Sequence, residues 1–165
     1  MLGILKAFGA LVLDSHSRVE LEDEPRPAGD AGQRANCTVL AIDDDPIILQ
    51  TLRPALRDQG FNVLTSTSGP KGLDMLRYAG YDIRVVLLDY NMPQLNGAET
   101  LLHVRRLNPE AKVIALTGVN INLLPETFCE GVDKLVQKPF RTGDLVAAIR
   151  ELLGEASPAP PASQA

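Results

Sequence analysis

The chain has little from which to build a basic surface or a metal–thiolate centre. Lys and Arg number 16 against 21 Asp and Glu, giving a net charge of −5 and a pI of about 5.0. No basic stripe is left for a phosphate backbone, so a nucleic-acid partner is not expected. Cysteine occurs twice, at Cys37 and Cys129, in no metal-ligand spacing and without secretory features. Both read as small buried thiols of a reducing cytoplasm. Long hydrophobic runs are missing as well. The longest apolar stretch, residues 2–13 (LGILKAFGALVL), falls short of the roughly 20 residues a bilayer span requires. Its charge, Lys6, lies inside the run, and no small-x-small cleavage site follows. Neither a membrane span nor a signal peptide is expected. No internal repeat is present.

What is there is material for one core. The apolar fraction of 45% is ordinary for a globular protein. Residues 1–36 read as an N-terminal extension, with room for a short helix near 2–13 and a charged, Gly- and Pro-rich linker from Asp14 to Asn36. Residues 154–165 (GEASPAPPASQA) form a Pro/Ala/Ser tail expected to be disordered, since its composition buries no core. The folded unit is placed at 37–153.

Inside it, β-rich runs at 38–42, 61–66, 84–88, 112–116 and 133–136 alternate with amphipathic segments. The third and fourth are nearly continuous in Val, Ile and Leu, as strands buried on both faces of a parallel sheet should be. Asp45 and Pro46 are suited to open a helix with Ile48, Leu52 and Leu56 on one face, and Gly60 to end it. Ser68 and Gly97 open the next two, the second carrying Ala98, Leu101 and Leu102. A fourth is expected near 121–130 with Pro125 close to its start. Leu145, Ala148, Ile149 and Leu152 mark the last. The Arg105–Arg106 pair reads as a solvated helix face, and His103 as a surface or half-buried side chain. Five strands interleaved with five helices predict an α/β, doubly wound (βα)5 unit. Its ligand crevice lies at the carboxyl ends of the strands.

Charged and polar residues fall at those ends. Asp43, Asp44 and Asp45 follow the first run, Asp89 the third, Thr117 and Gly118 the fourth, and Lys138 and Pro139 the fifth. Carboxylates gathered together repel one another and are relieved by a shared cation. Asp43, Asp44 and Asp89 form a hard-oxygen set suited to Mg²⁺, with Asp45 reserved as a cap. Beside such a cation Asp89 can attack phosphorus as a carboxylate. Phosphoryl transfer needs positioning and charge neutralisation above all, which Lys138 and the Thr117 hydroxyl would supply.

The stretches VLAIDDDP, VVLLDYNMPQLNG, VIALTG and LVQKPF together resemble the receiver domains of bacterial response regulators, over roughly 38–153. The resemblance implies a flavodoxin-like five-stranded parallel sheet of order 2-1-3-4-5 and a single-domain phosphoacceptor rather than an enzyme. It implies phosphorylation of Asp89 from a phosphohistidine donor, a histidine kinase or histidine phosphotransfer protein, and signalling to a separate downstream protein. It further implies Mg²⁺ (or Mn²⁺) held by Asp44, Asp89 and the Asn91 backbone carbonyl, with Asp43 acting through water. Thr117 is then the switch hydroxyl, Lys138 the phosphoryl-pairing lysine, Gly118 a position kept small for the phosphoryl group, and Lys138–Pro139 a cis bond. Val119 lies where the family tunes water access to the acyl phosphate. Leu135 departs from the family, which carries an aromatic residue there that swings inward when the threonine moves, so an altered readout is expected. Two other functions fit parts of the pattern. One is an aspartyl-phosphate phosphohydrolase of the haloacid-dehalogenase type, opening on Asp43-x-Asp45. The other is an interaction module that keeps the fold without phosphorylation.

Overall fold

Apolar runs become strands where both faces can be covered. The computed structural model describes residues 37–78, 82–93 and 95–155; the extension before 37 and most of the tail lie outside them. Strands β1 (Thr38–Ile42), β2 (Asn62–Ser66), β3 (Ile83–Asp89), β4 (Lys112–Thr117) and β5 (Lys134–Gln137) form one sheet of order β2-β1-β3-β4-β5. Every adjacent pair is parallel. β3 and β4 each run one residue past the expected end, because Asp89 still pairs with Leu116 and Thr117 with Gln137.

The helices cover both faces. Side chains alternate along each strand, so Val39, Ala41, Val85, Leu87, Ile114 and Leu116 share one core cluster. Leu40, Ile42, Val86, Leu88, Val113 and Ala115 share the other. Helices α1 (Pro46–Arg57) and α5 (Thr142–Leu152) close the first through Leu49, Leu52, Leu56, Leu145 and Ile149. Helices α2 (Gly69–Arg77), α3 (Gly97–Leu107) and α4 (Glu126–Gly131) close the second through Leu73, Leu101, Val104 and Phe128. The expected (βα)5 sandwich is the observed one.

Details differ where spacing alone is ambiguous. Asp45 caps α1, its Oδ1 accepting the Ile47 N–H at 2.8 Å, but the fully buried face runs through Leu49, with Ile48 at its margin. Gly60, at φ +89°, reverses the chain after α1 in a conformation other residues rarely adopt. On α3 Leu102 faces solvent, 62% exposed, and the side chain that opens this helix is Asn96, in a reciprocal capping box with Glu99. The fourth helix is a six-residue piece preceded by a 3-10 turn at Ile121–Leu123. Pro125 forces Leu124 into an extended conformation and splits the segment in two.

Arg105 is not the solvated charge its sequence suggests, whereas its neighbour Arg106 is exposed. Its guanidinium donates to the Gly131 carbonyl from Nε and Nη2 (2.9 and 2.8 Å), to the Ala111 carbonyl (2.7 Å) and to Asp133 Oδ2 (2.7 Å). Asp133 also accepts the Val113 N–H at 2.8 Å. Partial burial would raise the Asp133 pKa, but the hydrogen bonds from Arg105 and Val113, with the charges of Arg105 and Lys112, carry it below the ordinary value. Its stabilising contribution is therefore present above the unfolded carboxylate pKa of about 3.9 and is lost as pH falls through the lower folded value. Arg105→Ala is expected to cost about 2 kcal/mol at pH 7, because two part-buried carbonyls and the Asp133 carboxylate lose a charged donor. Urea unfolding should show this cost shrinking as pH falls below the ordinary carboxylate range; an equal cost in acid and at pH 7 would mean that the carbonyl hydrogen bonds, not the ion pair, carry it.

Burial of Cys37 pushes its thiol up to about 11, and both cysteines are free. Among the described residues no helix is long and apolar enough to cross a membrane.

Candidate functional site

Parallel register assembles the site. Ile42 lies opposite Leu88, so the next residues, Asp43 and Asp89, emerge side by side from the middle of the sheet. Thr117 pairs with Gln137, and the Lys138 N–H donates to the Thr117 carbonyl at 2.7 Å. Lys138 thus leaves β5 at the same end of the sheet.

Its ammonium reaches across that end. Lys138 Nζ donates to Asp43 Oδ2 and to Asp89 Oδ1, each at 2.7 Å. Asp43 is fully buried and Asp89 3% exposed, while Asp44 faces solvent. The second Asp43 oxygen accepts the Asp45 N–H at 2.9 Å, which fixes the carboxylate and separates the duties of the three consecutive acids. Asp43 points into the site and Asp45 caps α1. One carboxylate oxygen from each of Asp43, Asp44 and Asp89 lies within 4.8 Å of the others.

The electrostatics follow from burial. Desolvation raises the Asp89 pKa, with the nearby Asp43 charge acting the same way, against hydrogen-bonding and charge from Lys138 and a backbone hydrogen bond from Asn91. Burial alone would lower the Lys138 pKa, but its hydrogen bonds to Asp43 and Asp89 outweigh this and raise it. Lys138 is accordingly held charged. Three carboxylates against one ammonium still leave the pocket negative, and an all-oxygen donor set of this size fits a small hard dication.

Around this core, Thr117 is fully buried, and its hydroxyl is engaged by the following loop. Oγ1 accepts the Val119 N–H at 3.0 Å and lies 3.3 Å from the Val119 carbonyl. A Cβ placed on Gly118 would meet nothing within 4 Å. Gly97 is the opposite case. A Cβ there would lie 2.6 Å from the Asp89 carbonyl oxygen and 2.7 Å from Tyr90 Cα, so only glycine lets α3 start this close to the acidic loop. Asn91 is exposed, Val119 and Leu135 are half-buried, and the Lys138–Pro139 bond is cis. His103 lies exposed on α3, outside the cluster, and His16 falls outside the described residues.

Beside the acidic cluster, one contact escaped the sequence reasoning. The Tyr90 ring packs on Phe128 of α4, centroids 4.8 Å apart and planes tilted by 58°. Two aromatic residues 38 positions apart offer no pattern that local periodicity could reveal. Only the placement of α4 beside the β3–α3 loop brings them together.

The comparisons with known proteins agree with this geometry. The response regulator receiver domain profile matches residues 39–150. The cell cycle transcriptional regulator CtrA of Caulobacter vibrioides is 33% identical over 116 residues, covering 70% of this chain and 49% of that protein. The cell cycle response regulator CtrA of Brucella ovis gives the same identity and coverage. The chain therefore spans about half the length of these curated relatives. Among solved structures, a CheY-like receiver domain protein from Methanospirillum hungatei superposes with a TM-score of 0.68 at 28% identity, covering 73% of this chain and 95% of its own. A receiver domain from Clostridium thermocellum gives a TM-score of 0.66 at 31% identity, with 72% and 94% covered. With five parallel strands in the order 2-1-3-4-5 and a lysine-bridged acidic cluster at their ends, this chain belongs to the response regulator receiver domain family of two-component systems.

Proposed function

We propose that this receiver takes a phosphoryl group on Asp89 and passes the signal to a separate protein by a conformational switch. The observation that carries the reading is Lys138 Nζ bridging Asp43 and Asp89 at 2.7 Å each, with an Asp44 carboxylate oxygen close by. In the transfer, an Asp89 oxygen forms a bond to phosphorus while the P–N bond of a phosphohistidine donor breaks. The electron pair of that bond returns to the imidazole nitrogen. Asp44, Asp89 and the Asn91 carbonyl would hold a Mg²⁺ or Mn²⁺ ion, with Asp43 acting through water; such an ion supplies charge neutralisation. Lys138 is already positioned to pair with the incoming oxygens. Thr117 would turn its hydroxyl from Val119 to the phosphoryl group, and the open space over Gly118 leaves room for that group.

The donor is a histidine kinase or a histidine phosphotransfer protein. A groove of about 460 Å³ beside the site, lined by Ile47, Ile48, Leu52, Pro139 and Phe140, also includes Lys138. Ile47 on its rim is 70% exposed. A donor seated there would have its histidine within reach of Asp89. We assign the protein to the cytoplasm, where such donors expose their phosphohistidine, and residues 1–36 and 154–165 to segments flanking the folded unit.

The direct test is labelling of the full chain with acetyl phosphate. About one phosphoryl group per chain with Mg²⁺, and none with EDTA, is the expected result. No label in Mg²⁺, or repeated turnover of phosphate esters, would refute the proposal. The lifetime of the label should respond to residue 119. Val119→Glu places a carboxylate at the mouth of the pocket, where it can orient attacking water, so dephosphorylation should accelerate by roughly several-fold, short of the roughly 10²-fold at the weak end of a fully positioned general base. An unchanged rate would remove Val119 from that role.

A further inference from the structure

Leu135 cannot act as a swinging aromatic, yet the molecule has an aromatic contact between the acidic loop and α4. Tyr90 immediately follows Asp89, and both its backbone groups are held: its N–H donates to the Leu116 carbonyl and its carbonyl accepts the Gly97 N–H, each at 3.0 Å. The ring therefore projects from a fixed point beside the phosphoacceptor. Its partner Phe128 is 2% exposed and supplies the fully buried side chain of α4.

The surroundings confine where movement can occur. At its far end α4 is tied down, because Arg105 holds the Gly131 carbonyl with two hydrogen bonds. At its near end, the loop from Gly118 to Asn120 is braced by the Thr117 hydroxyl accepting the Val119 N–H. Withdrawal of that hydroxyl leaves the Val119 N–H to find another partner, so the loop and the 3-10 turn must rearrange. Among the described residues, the Tyr90–Phe128 ring contact then still ties α4 to the loop that bears Asp89.

We propose that the Tyr90–Phe128 ring pair is the conformational relay of this receiver, coupling the state of Asp89 to the segment 119–131 in place of an aromatic residue at position 135. The proposal rests on Asp89 being the phosphoacceptor, and the two can be told apart. Full-length protein is compared with Phe128→Leu, Tyr90→Leu and the conservative Tyr90→Phe, using two readouts. One is Mg²⁺-dependent labelling by acetyl phosphate; the other is the displacement of amide resonances of 119–131 on adding beryllofluoride with Mg²⁺. The relay predicts that all four proteins take label. It also predicts that the displacement falls about 2- to 10-fold in the two leucine variants, the worth of an aromatic pair, and persists in Tyr90→Phe. Should Phe128→Leu unfold, Tyr90→Leu alone decides, because Tyr90 is only half-buried. Full displacement in a labelled leucine variant overturns the relay and leaves the phosphoacceptor reading standing. Absence of label in the unaltered chain overturns both.

Discussion

Asp89→Asn is expected to reduce covalent labelling by acetyl phosphate to background while leaving the protein folded. The change is nearly isosteric and removes the nucleophile, since a neutral amide oxygen attacks phosphorus poorly. The fold should survive because Lys138 keeps its second partner, Asp43, at 2.7 Å. Asp43→Asn is the informative contrast. It removes a fully buried charge and loosens Lys138, so labelling should slow, by roughly 10² if positioning and charge are what Asp43 contributes, but not vanish. A phosphohydrolase built on Asp43-x-Asp45 would give the reverse order. The fixed bond from the Asp45 N–H to Asp43 and the use of Asp45 as a helix cap already count against that chemistry. Mass spectrometry of the intact chain, with hydroxylamine release to identify an acyl phosphate, separates the two outcomes.

Gly97→Ala should be the most destabilising single-methyl change in the described residues around the site. The added carbon meets the Asp89 carbonyl oxygen at 2.6 Å, Tyr90 Cα at 2.7 Å and the Tyr90 carbonyl oxygen at 3.1 Å. All are backbone atoms, so no rotamer change relieves the overlap. The Gly97 N–H bond to the Tyr90 carbonyl would stretch with it. Overpacking of this kind costs about 1–3 kcal/mol, and the upper half of that range corresponds to a melting point lower by roughly 5–10 °C in a domain of this size. Gly118→Ala is the matched control, with open space around the new methyl and an expected change within about 0.5 kcal/mol. Calorimetry that finds the two variants alike would show that α3 can retreat from the acidic loop without cost.

The fold was readable because β3 and β4 carry apolar runs too continuous for a half-exposed strand, and because capping residues such as Asp45 announced the helices between them. Asp43, Asp89 and Lys138 were readable as a set for a related reason: each follows a strand, and a parallel sheet delivers the ends of its strands to one rim. Contacts that depend on how helices lie against each other were not readable. Arg105 looked like surface charge because its acceptors, the Gly131 and Ala111 carbonyls, are backbone atoms with no sequence signature. Leu102 looked like core because it sits at helical spacing with Ala98, and only the packing of α3 decides which edge of that stripe is covered. The fourth helix was blurred by Pro125, whose effect on its predecessor divides one amphipathic stretch into a 3-10 turn and a short helix.

The burial of Cys37 has a practical corollary. With its thiol raised to about 11 by burial, Cys37 carries very little reactive thiolate at neutral pH, so alkylating dyes and mild oxidants should pass it by. The chain's second cysteine, Cys129, sits half-buried on α4. A maleimide fluorophore would therefore favour Cys129, a natural address on the helix that the proposed relay would move, with no engineered handle required.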